Sequence, residues 1–290
     1  MSEIAHPSQR ALIDRMPPHA FFMVSAVFHY LGPSFAVLLF AHMGVLGVAW
    51  LRIASAAAFF ALSRRPWRVL RDADLRTRGL IIALGFTLAL MNSAFYLAID
   101  RMPLATVAAI EFVATIAIAL VGVRTLRNAI ALLIAVTGVF LLIGIEWSGD
   151  GFGVLFAFVN AVLFGLYIVL GHSIARAGGV SGIDRLGAAM VVALIVAMPI
   201  GIAEVVPVLA TPVLILAGIG VGVSSSVIPY ICDQLAMARL PRATFALMLT
   251  MLPATAAIVG AVVLGQIPSI VEILGILLVA IGVGVHKPAQ

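Results

Sequence analysis

The sequence predicts an all-α integral membrane protein, ten transmembrane helices in two inverted five-helix repeats, and three observations carry that prediction. Hydrophobic residues make up 63% of the 290 positions and charged residues 10%, with a mean hydropathy of +1.22, far outside the range of soluble domains. Apolar runs long enough to cross a bilayer follow one another along the whole chain. A polar turn recurs in both halves, and the basic residues fall in alternate loops.

A span needs about 20 mostly apolar residues to cross ~30 Å of hydrocarbon. Punctuated by Gly, Pro and Arg, the runs place spans at 20–41, 43–63, 79–99, 103–122, 128–145, 152–171, 186–204, 208–228, 243–264 and 269–286. They are apolar on all sides, and in lipid such runs are helical because each segment must satisfy its own backbone polar groups. No strand is expected. The first span follows Arg10 and Arg15 and lacks a small-residue cleavage site, so it is expected to be an uncleaved anchor. Cys232 is the sole cysteine, which excludes an intramolecular disulfide. No metal-ligand spacing is present, and no cofactor is expected.

Positively charged loops stay cytoplasmic. Alternate loops collect Arg10, Arg15, Arg64, Arg65, Arg68, Arg71, Arg76, Arg78, Arg124, Arg127, Arg176, Arg185, Arg239, Arg242 and Lys287, all but two of the 17 basic residues. Arg101 lies on the other side and Arg52 inside a span. This asymmetry accounts for the basic pI without a nucleic-acid partner; the cluster RRPWRVLRDADLRTR is a topology signal. Both termini are expected in the cytoplasm.

LAIDRMPLATVA at 97–108 reappears as LAMARLPRATFA at 235–246, identical at seven of twelve positions and offset by 138 residues. LLIAVTGV at 132–139 likewise resembles ILLVAIGV at 276–283. The chain therefore divides into a cytoplasmic tail, 1–19, a first five-helix repeat, 20–145, and a second, 150–286. Five is odd, so the second repeat enters from the opposite side: the turn at Asp100–Pro103 falls on the outer face and that at Arg239–Pro241 on the cytoplasmic face. Inverted repeats place a binding site near the midplane and give alternating access by rocking.

A charge at the centre of a span costs ~2.5–3.5 kcal/mol on insertion scales and usually faces the bundle interior or a cavity. Glu111 and Arg52 are the two clear cases. Asn92 and Glu111 lie equally far from the outer turn, about 14 Å deep at 1.5 Å per residue, on antiparallel neighbours. A carboxylate at that depth suits proton carriage or ammonium binding; alternatively, one hydrogen bond to a neighbouring helix holds it neutral. Arg52 either grips a substrate carboxylate with its planar fork or is satisfied by helix carbonyls or by Glu111. Asp233, beside Pro229 and Tyr230, is a gate or coupling residue, or else marks a solvated helix end. Asn92 and Tyr230 are equivalent under the offset, which favours a shared cavity-lining role. Tyr30, Ser34, Tyr96, Asn160 and Tyr167 can hydrogen-bond a zwitterion or simply join helices. His29 can titrate near neutral pH. Gly218-x-x-x-Gly222 serves close packing, and Pro33, Pro229 and Pro253 free carbonyls at kinks.

The MNSAFYL and RMPLATVAAIEF stretches of one half and IPYICDQLAMARLPRATFALMLTMLPA of the other resemble the drug/metabolite transporter superfamily, EamA-type, most nearly the threonine and homoserine exporters of bacterial inner membranes. The resemblance implies a multi-pass inner-membrane exporter of amino acids or related small metabolites, driven by protons and using no cofactor. Thr115 and Leu252 depart from it, standing where those exporters tend to carry Pro and Glu. An exporter of drugs or other amphiphiles is the alternative; a membrane enzyme or a scaffold fits less well, for want of nucleophile motifs and because a scaffold has no use for Arg52 and Glu111. Reporter fusions at Ser148 and Gln290 are expected to lie on opposite sides of the membrane, and the same side for both overturns the inverted repeat.

Overall fold

A computed structural model describes residues 16–111, 125–146, 151–176, 182–240, 245, 248–249 and 252–285, and among them there is no strand. The helices are α1 (Pro18–Leu39), α2 (Val45–Arg64), α3 (Pro66–Asp72), α4 (Leu75–Ile99), α5 (Leu126–Glu146), α6 (Gly151–Arg176), α7 (Gly182–Val205), α8 (Pro212–Gly222), α9 (Ile228–Arg239), α10 (Leu252–Leu264) and α11 (Ile270–Val285). Residues 104–111 are also helical. Six helices, Pro18–Leu39, Val45–Arg64, Leu75–Ile99, Gly151–Arg176, Gly182–Val208 and Pro212–Arg239, are long and apolar enough to cross a membrane. Their outward positions carry large apolar side chains, such as Phe35, Phe86, Leu166 and Ile195, as a lipid-facing surface requires. The remainder of the span expected at 103–122, with Thr115, lies outside the described residues, as do Arg10, Arg15, Arg124, Pro241, Arg242 and Lys287.

Helix starts follow local chemistry. Proline opens α1, α3 and α8, where a missing N–H costs nothing. Asp74 caps α4 by accepting from Thr77 N at 3.3 Å. The cap of α2 comes from another helix: Glu204, near the end of α7, accepts from Gly47 N at 2.7 Å. At the other end of the same pair Arg64 meets Asp184 at 3.4 Å. These contacts make α2 and α7 antiparallel and tie them at both ends.

The eighth span differs from its expected bounds of 208–228. After α8 the chain makes one π-helical turn, Val223–Val227, and runs on to Arg239. Proline at 229 cannot donate to the carbonyl four residues back, and the turn widens to absorb that loss without ending the helix. Tyr230 and Asp233 therefore lie inside a long helix.

The bundle packs α5 on α11, α2 on α7, α4 on α6 and α7, and α1 on α8, α9 and α10. Glycines permit the closest approaches. A Cβ on Gly138 would meet the Gly275 carbonyl at 2.6 Å, and one on Gly282 the Ala131 carbonyl at 2.7 Å, so α5 and α11 touch backbone to backbone. On α7, a Cβ at Gly201 would strike the Leu46 carbonyl and approach Trp50 Cβ to 2.7 Å. Gly201→Val is expected to destabilise by about 1–3 kcal/mol through overpacking, read as a lowered melting temperature in detergent. Gly220→Ala, with nothing within 4 Å of its Cβ, is expected to leave that temperature unchanged or raised.

Candidate functional site

α2 carries Arg52 into the centre of the bundle, where the residue is 3% exposed. A buried cation has to be matched by hydrogen bonds. Its Nε donates to Ser226 Oγ at 2.7 Å, and its Nη2 to the Ser225 carbonyl at 2.8 Å and, more weakly, to Tyr230 Oη at 3.4 Å. The guanidinium carbon lies 5.3 Å from the Tyr96 ring centroid and 6.0 Å from that of Tyr230, within cation–π range. The Ser225 carbonyl is the one that Pro229 cannot serve, so the break in the helix ladder supplies an acceptor for the charge.

Tyr230 Oη in turn donates to Asn92 Oδ1 at 3.3 Å, and Asn92 Nδ2 donates to the Leu88 carbonyl at 2.6 Å. Opposite, Asn160 Nδ2 of α6 donates to Glu111 Oε1 at 2.8 Å. Asn160 Oδ1 is buried without a hydrogen-bond partner among the described residues. Arg52, Asn92, Glu111, Asn160, Tyr230 and His29 line one cavity of about 10 Å³, room for a single water. Of the two structural explanations open for Arg52, helix groups supply the hydrogen bonds, and Glu111 shares the cavity without bonding the guanidinium. Tyr96 and Tyr30 pack behind this lining: Tyr96 stacks under the guanidinium, and the Tyr30 ring meets the edge of His29 at 5.4 Å. Ser34 donates to the Tyr30 carbonyl at 2.9 Å, an intrahelical bond that takes no part in the cavity.

Asp233 belongs to a second cluster. It is 6% exposed and accepts from Ser25 Oγ at 2.5 Å and from Tyr167 Oη at 2.9 Å. A solvated helix end is thereby ruled out, because α9 continues past it. Ser25, His29, Tyr167 and Asp233 line another cavity of about 10 Å³, walled by Phe22, Phe164 and Phe245, with Leu252 among its lining residues. His29 lines both cavities.

Ser25, Ser225 and Ser226 were not singled out by the sequence. The signal was present in the serine run 224–226 four residues before a mid-span proline, a pattern that provides hydroxyls and an unserved carbonyl at one level. Ser25 has no comparable mark; only the packing of α1 on α9 brings it to Asp233.

The model of the EamA-like transporter family matches residues 151–285. The threonine/homoserine exporter RhtA of Salmonella typhimurium (strain LT2) is 32% identical over 248 residues, 84% of this chain and 82% of that protein. The chain belongs to the EamA-like transporter family. The RhtA of Escherichia coli (strain K12) is 31% identical over the same extent. One solved protein crystal structure superposes with a TM-score of 0.61 over 92% of this chain and 96% of that one; at 15% identity that likeness concerns the fold alone. Membership makes this chain a membrane transporter and not an enzyme. Arg52→Lys keeps the charge but loses the fork and the stacking. It is expected to destabilise by about 1.5–3 kcal/mol, the worth of a charge-assisted hydrogen bond, read as a lower melting temperature in detergent.

Proposed function

We propose that this transporter exports a threonine- or homoserine-like amino acid, or a related small metabolite, across the bacterial inner membrane by proton antiport with alternating access. One observation carries the proposal: a guanidinium and a carboxyl group, Arg52 and Glu111, line the same buried cavity from different helices. The two groups are of the opposite chemical types that the two ends of a zwitterion need. Arg52 spends Nε and Nη2 on the protein, and Nη1 makes no hydrogen bond among the described residues, leaving it to meet a substrate carboxylate. Glu111 and Asn160 Oδ1 offer acceptors to an ammonium group. The names of the RhtA relatives support the same substrate class.

The two-repeat architecture, 20–145 and 150–286 after a tail at 1–19, with both termini cytoplasmic, belongs to this proposal. Residues related by the offset meet only at a symmetry axis, and Tyr230 touches Asn92, 138 positions away. Helix pairing supports it too. α2 packs on α7 and α5 on α11, each with its own counterpart, while α4 packs on α6 as α9 packs on α1. A cavity of one water's size admits an amino acid only when helices part, as rocking repeats allow.

The aromatic walls of the second cavity, with Leu252, favour a second reading, export of amphiphilic compounds. Counterflow in proteoliposomes with labelled threonine, homoserine and a hydrophobic amine separates the two. Exchange of the amino acids alone is expected, and exchange of the amine alone sinks the first reading. Glu111→Gln keeps shape and most hydrogen bonding but cannot exchange a proton. It is expected to fold and express normally while losing transport driven by a pH gradient; unchanged pH dependence overturns the role assigned to Glu111.

A further inference from the structure

We propose that Asp233, Ser25 and His29 form a proton-loading site distinct from the substrate cavity, in which the Ser25 hydroxyl turns between two acceptors as the Asp233 carboxyl loses and gains its proton. This inference rests on the proton-antiport reading above and assigns the entry point of the proton.

The geometry of Ser25 is the starting observation. Its Oγ lies 2.5 Å from Asp233 Oδ1 and 3.2 Å from the Pro229 carbonyl, yet a hydroxyl has one proton to donate. With Asp233 ionised, that proton goes to the carboxylate. With Asp233 protonated, the acid proton is donated to Ser25 Oγ and the serine proton turns to the Pro229 carbonyl. Both states leave the two carboxyl oxygens and the serine hydroxyl hydrogen-bonded, and a buried carboxyl that must change state needs that property. Tyr167 Oη, at 2.9 Å, donates to the second oxygen in either state.

The surroundings single out the proton as the ion. Ser25 and Tyr167 both donate to Asp233, so a bound metal cation would have to turn both away, leaving the carboxylate and one carbonyl inside a phenylalanine-walled cavity. From α1 the titratable group facing the site is His29, and from α6 it is Tyr167; on the same helix stand Tyr230 and Cys232. Arg185 of α7 is directed to the Ile174 carbonyl at 3.2 Å. No ion pair involves Asp233 among the described residues. Phe22, Ser25 and His29 follow at helical spacing along one face of α1, and all three line the Asp233 cavity. His29 also lines the cavity of Glu111 and Arg52. The second cavity, lined by both Asp233 and His29, has room for one water, which would connect the two and let His29 hand the proton on to the substrate side.

The full chain in proteoliposomes, with labelled threonine as probe, tests this by comparing flux driven by a pH gradient with counterflow at equal pH. Ser25→Ala is expected to reduce the gradient-driven flux about tenfold more than counterflow, the equivalent of about one hydrogen bond, and to move its pH profile. Ser25→Thr, which keeps the hydroxyl, restores both. Asp233→Asn is expected to abolish the gradient-driven flux while counterflow persists. Gradient-driven flux in the unaltered protein, with Ser25→Ala and Asp233→Asn showing an unchanged profile or an equal fall in both assays, overturns the loading site and leaves the antiport reading standing. Absence of gradient-driven flux in the unaltered protein, or its replacement by a sodium gradient, overturns that reading and the loading site together.

Discussion

The buried guanidinium of Arg52 constrains the centre of the bundle. Placing an arginine at mid-membrane depth costs ~2.5–3.5 kcal/mol on insertion scales, and the cost is met only where acceptors converge. Three hydrogen bonds reach the Arg52 guanidinium from the helix that contains Ser225, Ser226 and Tyr230. At about 1.5–3 kcal/mol for a hydrogen bond to a charged group, the two short ones are enough to offset the insertion cost. The acceptors exist because of a backbone defect: Pro229 interrupts the ladder, the turn opens to a π-helix, and the Ser225 carbonyl faces α2. Charge and kink therefore explain each other. Removing the proline would close the carbonyl to Arg52, and removing the arginine would leave a cluster of polar groups facing one another without a cation to organise them.

That dependence also fixes how helices meet. Arg52 binds α2 to the π turn, while α2 is held along its length by α7 through the Glu204 cap at one end and the Arg64–Asp184 pair at the other. Close glycine contacts, at Gly201 against α2 and at Gly138 and Gly282 between α5 and α11, hold these pairs in backbone van der Waals contact. Specific polar contacts at the centre and small-residue seams at the flanks suit the alternating access proposed above.

Much of the fold was legible because the bilayer imposes it. Apolar runs of about 20 residues can only be helices, while the charge asymmetry and the Arg-x-Pro-x-Ala-Thr core point to the two-repeat organisation that belongs to the proposal above. Depth counting from the Asp100–Pro103 turn places Asn92 and Glu111 at one level, and both line one cavity. The parts that stayed hidden are those set by rotation about helix axes. Runs that are apolar on all sides carry little periodicity, so nothing in the sequence oriented Ser25 toward Asp233 or separated the Asp233 cavity from the central one. The eighth helix runs past its expected end for a related reason: proline reads as punctuation between apolar runs, whereas in lipid a π turn preserves the helix and uses the carbonyl it frees.

The two cavities themselves are related in a way that bears on mechanism. Under the proposed repeat, the offset of 138 residues carries His29 onto Tyr167, Phe95 onto Asp233, Glu111 onto Leu249 and Phe22 onto Asn160. Phe95, Glu111 and Asn160 line the central cavity, while Tyr167, Asp233, Leu249 and Phe22 line the other. These four pairs thus divide between the chambers, and the carboxylate of each chamber is matched by an apolar residue at the equivalent position in the other. Two carboxylates at equivalent positions would repel one another's ionisation and compete for the same proton. Divided between chambers, with His29 facing both, they can be charged at different stages of one cycle. On the proposed reading, an inverted repeat supplies two related chambers, and the different placement of the carboxylate in each lets one take the substrate while the other loads the proton.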